Sequence, residues 1–363
     1  MSRSVYNFAP GPAMLPRPVM DRLRSEVLDF EGLGAAAFEI SHTSPPFKRL
    51  LAETEEMLRE LMAIPPDYKV IFCHGGATMQ FSMVPLNLMQ RRPAGRGLYV
   101  ESGDFARRAI EEGGRYGPIR VVASSATERY AKVPTIPPEA LDLAASYLHV
   151  TVNNTLIGTQ MKEIPDTGDL PLVGDVTSEI LSRSLDVRRF GVLYAGAQKN
   201  LGVSGMSVAV IREDLLGHAF PYTPNLLNWK TLADTGSLAN TIHTFAVYAM
   251  HRVLEWTREQ GGVAALSRVN EQKAALLYEV LDTSDFYVPL AHPEHRSMLN
   301  VSFTLADETL LPTFLNEALA EGLYALKGHK VVGGLRASIY NAMPLEGVQA
   351  LAQFMTGFVR RHG

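Results

Sequence analysis

The chain has 363 residues, of which 46% are hydrophobic and 20% are charged, the balance of an ordinary globular protein. Its formal net charge at pH 7 is −4, and it has no basic block or stripe, which argues against a nucleic-acid partner. No apolar run is long enough to cross a bilayer, and the N-terminus lacks the apolar core of a signal peptide. A single cysteine, Cys73, excludes an internal disulfide and suits a reducing compartment, so we expect a cytoplasmic protein.

The N-terminal part of the chain predicts an extended segment and two helices. Residues 7–16 are rich in proline and glycine and should be extended. Val19, Leu23 and Val27 recur at helical spacing and predict an amphipathic helix over residues 17–30. A second helix is predicted over residues 46–62.

Strands then alternate with helices. We predict strands at residues 69–73, 97–101, 119–123, 147–152, 171–174, 191–194 and 207–212. A helical stretch follows the first of them and runs to residue 89. This alternation predicts an α/β fold with a mostly parallel sheet that helices cover on both faces.

The pattern changes beyond residue 261. A long helix is predicted at residues 263–281, a strand at 299–303, a helix at 309–321, a strand at 335–340 and a last helix from 345. This order predicts a smaller α+β domain, onto which the N-terminal segment can fold back. We therefore predict a large domain over residues 16–260 and a small domain over residues 1–15 and 261–363.

A lysine follows the sixth predicted strand among small residues. The run from residue 194 to 202 reads YAGAQKNLG, and Lys199 is its only lysine. A lysine that condenses with a carbonyl must be partly desolvated, so that its amine is neutral often enough to attack. Small neighbours leave room for a flat ring. The alternative is an ordinary surface lysine after a strand, and this run alone leaves both open.

Two further features lie at strand ends. Asp175 ends an apolar strand, where an aspartate can keep a pyridinium nitrogen protonated, although it can also cap the next segment. Gly75 and Gly76 join a strand to a helix whose first amides can cradle a phosphate. The three features, each at a strand end, together favour a pyridoxal-phosphate enzyme in which Lys199 carries the cofactor.

Long ordered runs of this sequence resemble the phosphoserine aminotransferase family, which belongs to the class V aminotransferases of PLP fold type I. The runs are residues 7–16 (NFAPGPAMLP), 73–76 (CHGG), 194–200, 212–217 and 331–347, the last containing RASIYNA. They span nearly the whole chain. The resemblance implies a large domain with a mostly parallel seven-stranded sheet, a smaller α+β domain, pyridoxal 5'-phosphate as cofactor, and a homodimer with active sites at its interface.

The resemblance also implies roles for individual residues. Lys199 would carry the cofactor and move protons, Asp175 would pair with the pyridine nitrogen, and Arg336 would grip the substrate α-carboxylate. Other cofactor contacts would come from Ala77, Thr78, Phe105, Thr155 and Gln198, and from Asn240 and Thr241 of the partner subunit. Phe105 stands where many members have a tryptophan. No metal site is expected.

Two positions of the expected site for the substrate's distal anion depart from the family pattern. Thr43 follows His42 where members typically have an arginine, and Lys330 follows His329 where members again have an arginine. Thr43 brings no charge, and Lys330 keeps the charge without the bidentate fork. Either another basic residue compensates, or the substrate has a smaller or less charged distal group. The candidates for compensation are Lys48, Arg49, Lys327 and His329.

Two activities therefore stay open. The first is transfer of an amino group from glutamate to 3-phosphohydroxypyruvate, which gives phosphoserine and 2-oxoglutarate in serine biosynthesis. The second is transamination with a different 2-oxo acid acceptor. A desulfurase needs a cysteine on a mobile loop, whereas Cys73 lies in a predicted buried strand. A non-catalytic dimer has no need of Lys199, Asp175 and Arg336 together. The breadth of the family pattern favours the first activity.

Overall fold

The computed structural model describes residues 5–363, and that range contains nine α-helices and fourteen strands. The helices are α1 (Arg17–Glu26), α2 (Pro45–Met62), α3 (Ala77–Leu88), α4 (Asp104–Gly113), α5 (Trp229–Asp234), α6 (Thr244–Glu259), α7 (Gly262–Asp282), α8 (Leu311–Ala320) and α9 (Leu345–His362). The strands are β1 (Tyr6–Asn7), β2 (Tyr68–His74), β3 (Gly97–Glu101), β4 (Ile119–Ser124), β5 (Tyr147–Thr151), β6 (Asn153–Asn154), β7 (Thr159–Gln160), β8 (Leu172–Asp175), β9 (Val192–Gly196), β10 (Met206–Arg212), β11 (Tyr287–Pro289), β12 (Asn300–Leu305), β13 (Leu323–Tyr324) and β14 (Leu335–Ser338). Among these described helices, none combines the length and the apolar character that crossing a membrane requires.

Seven strands form the central sheet in the order β2-β10-β9-β8-β5-β3-β4. The pairs from β9 to β4 are all parallel, whereas β10 is antiparallel to both β9 and β2. All positions of β5, β8 and β9 are buried, as expected for strands covered on both faces. The predicted α/β fold with a mostly parallel seven-stranded sheet is confirmed.

The sheet brings the predicted site residues to one edge. Because β10 is antiparallel to both of its neighbours, β2 points in the same direction as β9, β8 and β5. The carboxyl ends of these four strands therefore lie along the same edge. The Gly75–Gly76 turn, Lys199 and Thr155 follow β2, β9 and β5, and Asp175 is the last residue of β8. Ligands of open α/β sheets bind at this edge.

A second hydrophobic core lies in the C-terminal part of the chain. The antiparallel sheet β11-β12-β14 packs there with α7, α8 and α9. The N-terminal segment reaches the same core, because β1 pairs with β13 and Phe8 is fully buried in it. Residues 1–4 of the predicted small domain lie outside the described residues, and the division of the chain at residue 260 stays a prediction.

The first helix is shorter than its apolar spacing predicts. It ends at Glu26, and Leu28 is exposed. Beyond it the chain forms a loop in which the Asp29 carboxylate accepts a hydrogen bond from the Gly34 amide at 2.7 Å. Phe30 leaves the helical path to pack edge-on against Tyr248. The Asp29 hydrogen bond and the burial of Phe30 therefore stabilise a loop where the sequence predicts the last turn of the helix.

Candidate active site

A cavity opens at the carboxyl edge of the central sheet. Seven predicted cofactor residues line it, namely Ala77, Thr78, Phe105, Thr155, Asp175, Gln198 and Lys199. Gly76 of the glycine turn also lines it, together with five residues that the sequence did not single out, namely Phe81, Thr151, Asn153, Thr177 and Ser178. The structure thus brings the lysine, the aspartate and the glycine turn to one place.

Lys199 lies in the turn after β9 and is only 7% exposed. Its Nζ donates a hydrogen bond to Oγ1 of Thr155 at 2.6 Å. Burial lowers the pKa of Lys199 to about 7; the negative charge of Asp175 opposes this change, and the positive charge of Arg336 adds to it. A large fraction of the amine is therefore neutral near pH 7, which is the form that attacks a carbonyl.

Three distant parts of the chain hold the lysine turn in position. The Asn200 side chain donates to the Ile180 carbonyl at 2.9 Å and accepts from the Asn341 amide at 3.1 Å. The Gln198 carbonyl accepts from the Ala13 amide at 2.9 Å. Gly11 has φ +138°, and a Cβ there would lie 3.2 Å from Cγ of Gln198. The N-terminal proline-glycine run therefore fits closely over the lysine turn.

Asp175 is the last residue of β8, and its carboxyl group is buried. Burial raises its pKa, against the lowering effects of hydrogen bonds from Thr177, the charge of Lys199 and a hydrogen bond from Tyr194. Oδ1 accepts from the Thr177 amide at 2.9 Å, so this oxygen also caps the following turn, as the alternative interpretation expected. The carboxyl group borders the cavity, where a buried anion favours a cationic partner.

The start of α3 forms the part of the cavity wall suited to an anion. Its N-cap residue, Gly76, supplies no side-chain acceptor to the first turn of the helix. Gly75 has φ +78°, a conformation that favours glycine. Gly196 approaches the same point so closely that a Cβ on it would lie 3.2 Å from the Ala77 amide nitrogen. An uncapped helix start of this kind attracts a phosphate through its amides and its dipole.

Arg336 on β14 is a buried cation with unused hydrogen-bond donors. It is 4% exposed, and its Nε and Nη1 atoms have no hydrogen-bond partner among residues 5–363. Its charge lowers the pKa of Lys199, so the two cationic groups act on each other electrostatically. Buried donors are rarely left unpaired, so this guanidinium is arranged to receive an anion.

The predicted distal residues do not line the cavity of this single chain. His42 and Thr43 lie in the turn before α2, where the exposed Thr43 hydroxyl contacts Oγ of Ser41 at 2.9 Å. His329 is half-buried in the loop before β14; burial lowers its pKa, and the charge of Arg336 lowers it further. Lys330 is exposed beside it.

The other basic residues near these positions differ in whether they are paired with an acidic side chain. Arg49 is paired with Glu31 at 2.8 Å, and Lys48 and Lys327 are exposed. Arg108, which the sequence did not single out, acts electrostatically on His329 and contacts the Asp104 carboxylate at 2.8 Å. Asn240 and Thr241 lie in the turn before α6, outside the cavity.

The fold and the site together define a class V aminotransferase. The Aminotransferase class-V family matches residues 5–351, and the chain belongs to that family. The chain is similar to the phosphoserine aminotransferase of Pseudomonas aeruginosa, with 47% identity over 363 residues that cover 100% of both chains.

Two solved structures have the same fold along nearly the whole chain. The phosphoserine aminotransferase from Bacillus circulans subsp. alkalophilus matches with a TM-score of 0.95 and 41% identity, covering 99% of each chain. The PLP-bound phosphoserine aminotransferase from Trichomonas vaginalis matches with a TM-score of 0.92 and 32% identity, covering 97% of this chain and 99% of the other. The chain is therefore an aminotransferase with the architecture of these enzymes.

Proposed function

We propose that this protein uses pyridoxal phosphate to transfer an amino group from glutamate to 3-phosphohydroxypyruvate, giving phosphoserine and 2-oxoglutarate. The observation that carries the aminotransfer chemistry is Lys199, a buried amine with a pKa of about 7 in a cavity shared with Asp175. The substrate is supported by the relatives named phosphoserine aminotransferase, among them one 47% identical over its full length. The same likeness argues against the alternative of a different acceptor.

The residues of the cavity fit this cofactor. The uncapped start of α3 suits its phosphate, and Asp175 suits its ring nitrogen. Phe105 borders the cavity, with its ring centroid 5.8 Å from Nζ of Lys199, and suits stacking on a flat ring. Oγ1 of Thr151 is buried without a hydrogen-bond partner among the described residues and leaves one polar group for a ligand. When bound, pyridoxal phosphate supplies an aldehyde that takes up amino groups and a ring that withdraws electrons.

The protein's own groups divide the remaining work. Lys199 attaches the cofactor through Nζ and moves the substrate α-proton at the same atom, because a pKa of about 7 allows it both to accept and to release a proton near neutral pH. Asp175 keeps the ring nitrogen protonated. Arg336 holds the α-carboxylate that donor and acceptor share, and so orients both substrates in the same way.

The distal phosphate or carboxylate must then be met by the remaining basic groups. Arg336, Arg108 and Lys330 all act electrostatically on His329. Burial and the charge of Arg336 lower the pKa of His329, which favours its neutral form, so it contributes a hydrogen bond rather than the charge. We assign the positive charge of the distal site to Lys330, with Arg108 as the compensating residue.

The substrate assignment is tested by restoring arginine at position 43. Thr43→Arg should lower KM for 3-phosphohydroxypyruvate by roughly 5- to 150-fold, the effect of a charged hydrogen bond of about 1–3 kcal/mol. Thr43→Gln is the matched control, because it adds similar bulk without charge. If the natural acceptor lacks a distal phosphate, Thr43→Arg will instead damage turnover of that acceptor. A wild-type enzyme that converts other 2-oxo acids far better than 3-phosphohydroxypyruvate would refute the assignment.

We also propose a homodimer in which Asn240 and Thr241 of the partner subunit contact the cofactor phosphate. Both residues lie outside the cavity of their own chain, and three large apolar side chains before α2, Leu28, Leu33 and Phe38, are 79%, 49% and 54% exposed. Mixing Lys199→Ala with Asn240→Ala subunits should restore about a quarter of wild-type activity, because random reassortment makes half the dimers mixed, with one intact site in two. If the mixture is no more active than the two variants measured separately and added together, the proposed dimer is wrong.

The remaining assignments rest on the sequence. We propose a cytoplasmic location, in keeping with a single buried thiol and no cystine. We also retain the division into a large domain at residues 16–260 and a small domain made of both chain ends as a proposal. It is supported by the separate hydrophobic core that Phe8 shares with α7, α8 and α9.

A further inference from the structure

Two buried polar residues lie behind Asp175, on the strands that flank β8. In the register of the sheet, Tyr194 on β9 is the partner of Asp175. His149 on β5 is the partner of Val173, two residues before Asp175, and therefore lies on the same face of the sheet. Neither residue lines the cavity, and both are 1% exposed. They are thus out of reach of a substrate and close to the carboxylate.

These residues form a chain of contacts that ends on Asp175. Nε2 of His149 lies 2.7 Å from the Tyr194 hydroxyl. The His149 ring stacks on Tyr99, with ring centroids 5.1 Å apart. Tyr194 lies beside Asp175 in the register of the sheet, and its hydroxyl, acting as a donor, lowers the pKa of the Asp175 carboxyl group. Burial lowers the pKa of His149 to about 3, so its ring is neutral.

The direction of each hydrogen bond follows from the number of protons. An ionised carboxylate only accepts, so the single hydroxyl proton of Tyr194 goes to Asp175. The Tyr194 oxygen then accepts from Nε2–H of His149. This tautomer leaves Nδ1 as a bare acceptor, and Nδ1 has no hydrogen-bond partner among residues 5–363. An unpaired acceptor is tolerated in a protein interior more readily than an unpaired N–H.

We propose that Tyr194 and His149 are positioning residues that keep Asp175 ionised, so that a ring nitrogen bound against it retains its proton. Asp175 is buried, and burial favours its neutral form. A hydrogen bond donated to the carboxylate opposes this and makes Asp175 a weaker competitor for the ring proton. His149 orients the Tyr194 hydroxyl and strengthens its bond through cooperativity. This inference rests on the proposed function, because it assigns the ring to pyridoxal phosphate.

The test uses holoenzyme prepared with pyridoxal phosphate labelled with ¹⁵N in the ring, whose chemical shift reports the protonation of that nitrogen. Tyr194→Phe should move the signal towards the neutral nitrogen, in the direction that Asp175→Asn moves it. It should also lower kcat about tenfold, the effect of one hydrogen bond to a charged group, while KM for glutamate changes by less than about twofold. His149→Leu should show the same changes to a smaller degree, and His149→Gln, which keeps a donor, should restore part of them.

Tyr147→Phe is the matched control. Its side chain is equally buried, and among residues 5–363 its hydroxyl is hydrogen-bonded only to the Tyr99 hydroxyl, at 2.7 Å. A ¹⁵N shift that Tyr194→Phe leaves as in wild type overturns the proposal, as does an equal response to Tyr147→Phe. Because the His149 variants act on the same contact, they decide the matter if Tyr194→Phe does not fold. A wild-type protein that gives no bound ¹⁵N signal overturns the proposed function itself, and this inference with it.

Discussion

Arg336 offers the sharpest test of how the site recognises its substrates. The variant Arg336→Lys keeps the positive charge and loses the planar fork that binds a carboxylate with two parallel hydrogen bonds. In the structure Nε and Nη1 have no partner among residues 5–363, so no bond within that range is broken by the change. The side chain is 4% exposed, which limits how far water can replace the lost contact.

The size of the effect follows from that geometry. Loss of one charged hydrogen bond from a buried pair costs about 1.5–3 kcal/mol, which corresponds to a fall of roughly 10- to 150-fold in kcat/KM. The α-carboxylate is common to the amino donor and the oxo-acid acceptor. We therefore expect the same fall in both half-reactions, with pyridoxal phosphate still bound, since Arg336 does not line the cavity of the cofactor.

Single-turnover absorbance measurements with glutamate and with alanine distinguish a lost contact with the α-carboxylate from a lost contact with the distal anion. Alanine has an α-carboxylate but no distal anion. Arg336→Lys should slow both amino acids by a similar factor, whereas the control Lys330→Ala should slow glutamate and spare alanine. An Arg336→Lys enzyme within twofold of wild type for both amino acids would refute the reasoning, and so would a loss confined to glutamate.

Three further predictions concern Lys199, Asp175 and Cys73. The rate at which Lys199 takes up pyridoxal phosphate should rise with pH and level off above about 7, because burial lowers its pKa to about 7 and only the neutral amine attacks; a stopped-flow rate still rising at about pH 9 would contradict this. Asp175→Asn should leave the cofactor bound and reduce kcat by at least about 30-fold, the equivalent of ~2 kcal/mol, and unchanged turnover would remove its electron-sink role. Cys73 should resist thiol reagents in the folded protein at about pH 8, because burial raises its pKa to about 12; modification as fast as that of a free thiol would show that β2 opens.

The central sheet was predictable because its strands are short apolar runs separated by glycines and helical stretches. Lys199 and Asp175 were recognisable for a related reason, since each is a charged residue at the end of a run that is otherwise buried. α6 gave no comparable signal. Ten of its sixteen residues are buried, so its apolar positions do not form the single stripe on which helical periodicity depends.

The buried residues beside Asp175 could not be predicted from the sequence. His149 and Tyr194 are far apart in the chain. They come into contact because the sheet places β5 and β9 on the two sides of β8. No spacing rule in the sequence fixes that strand order. The distal residues were hard for another reason. Thr43 is exposed, and its hydroxyl contacts Oγ of Ser41, so the contacts of residues 5–363 do not indicate a role for it.

The pairing of β1 with β13 has a consequence for how the protein is made on the ribosome. Tyr6 leaves the ribosome early, yet its partner Leu323 is among the last parts of the chain to be translated. Ala13 and Gly11, which cover the Lys199 turn, belong to the same segment. This segment can therefore lie over the lysine turn and pair with β13 at the same time only after Leu323 has been translated.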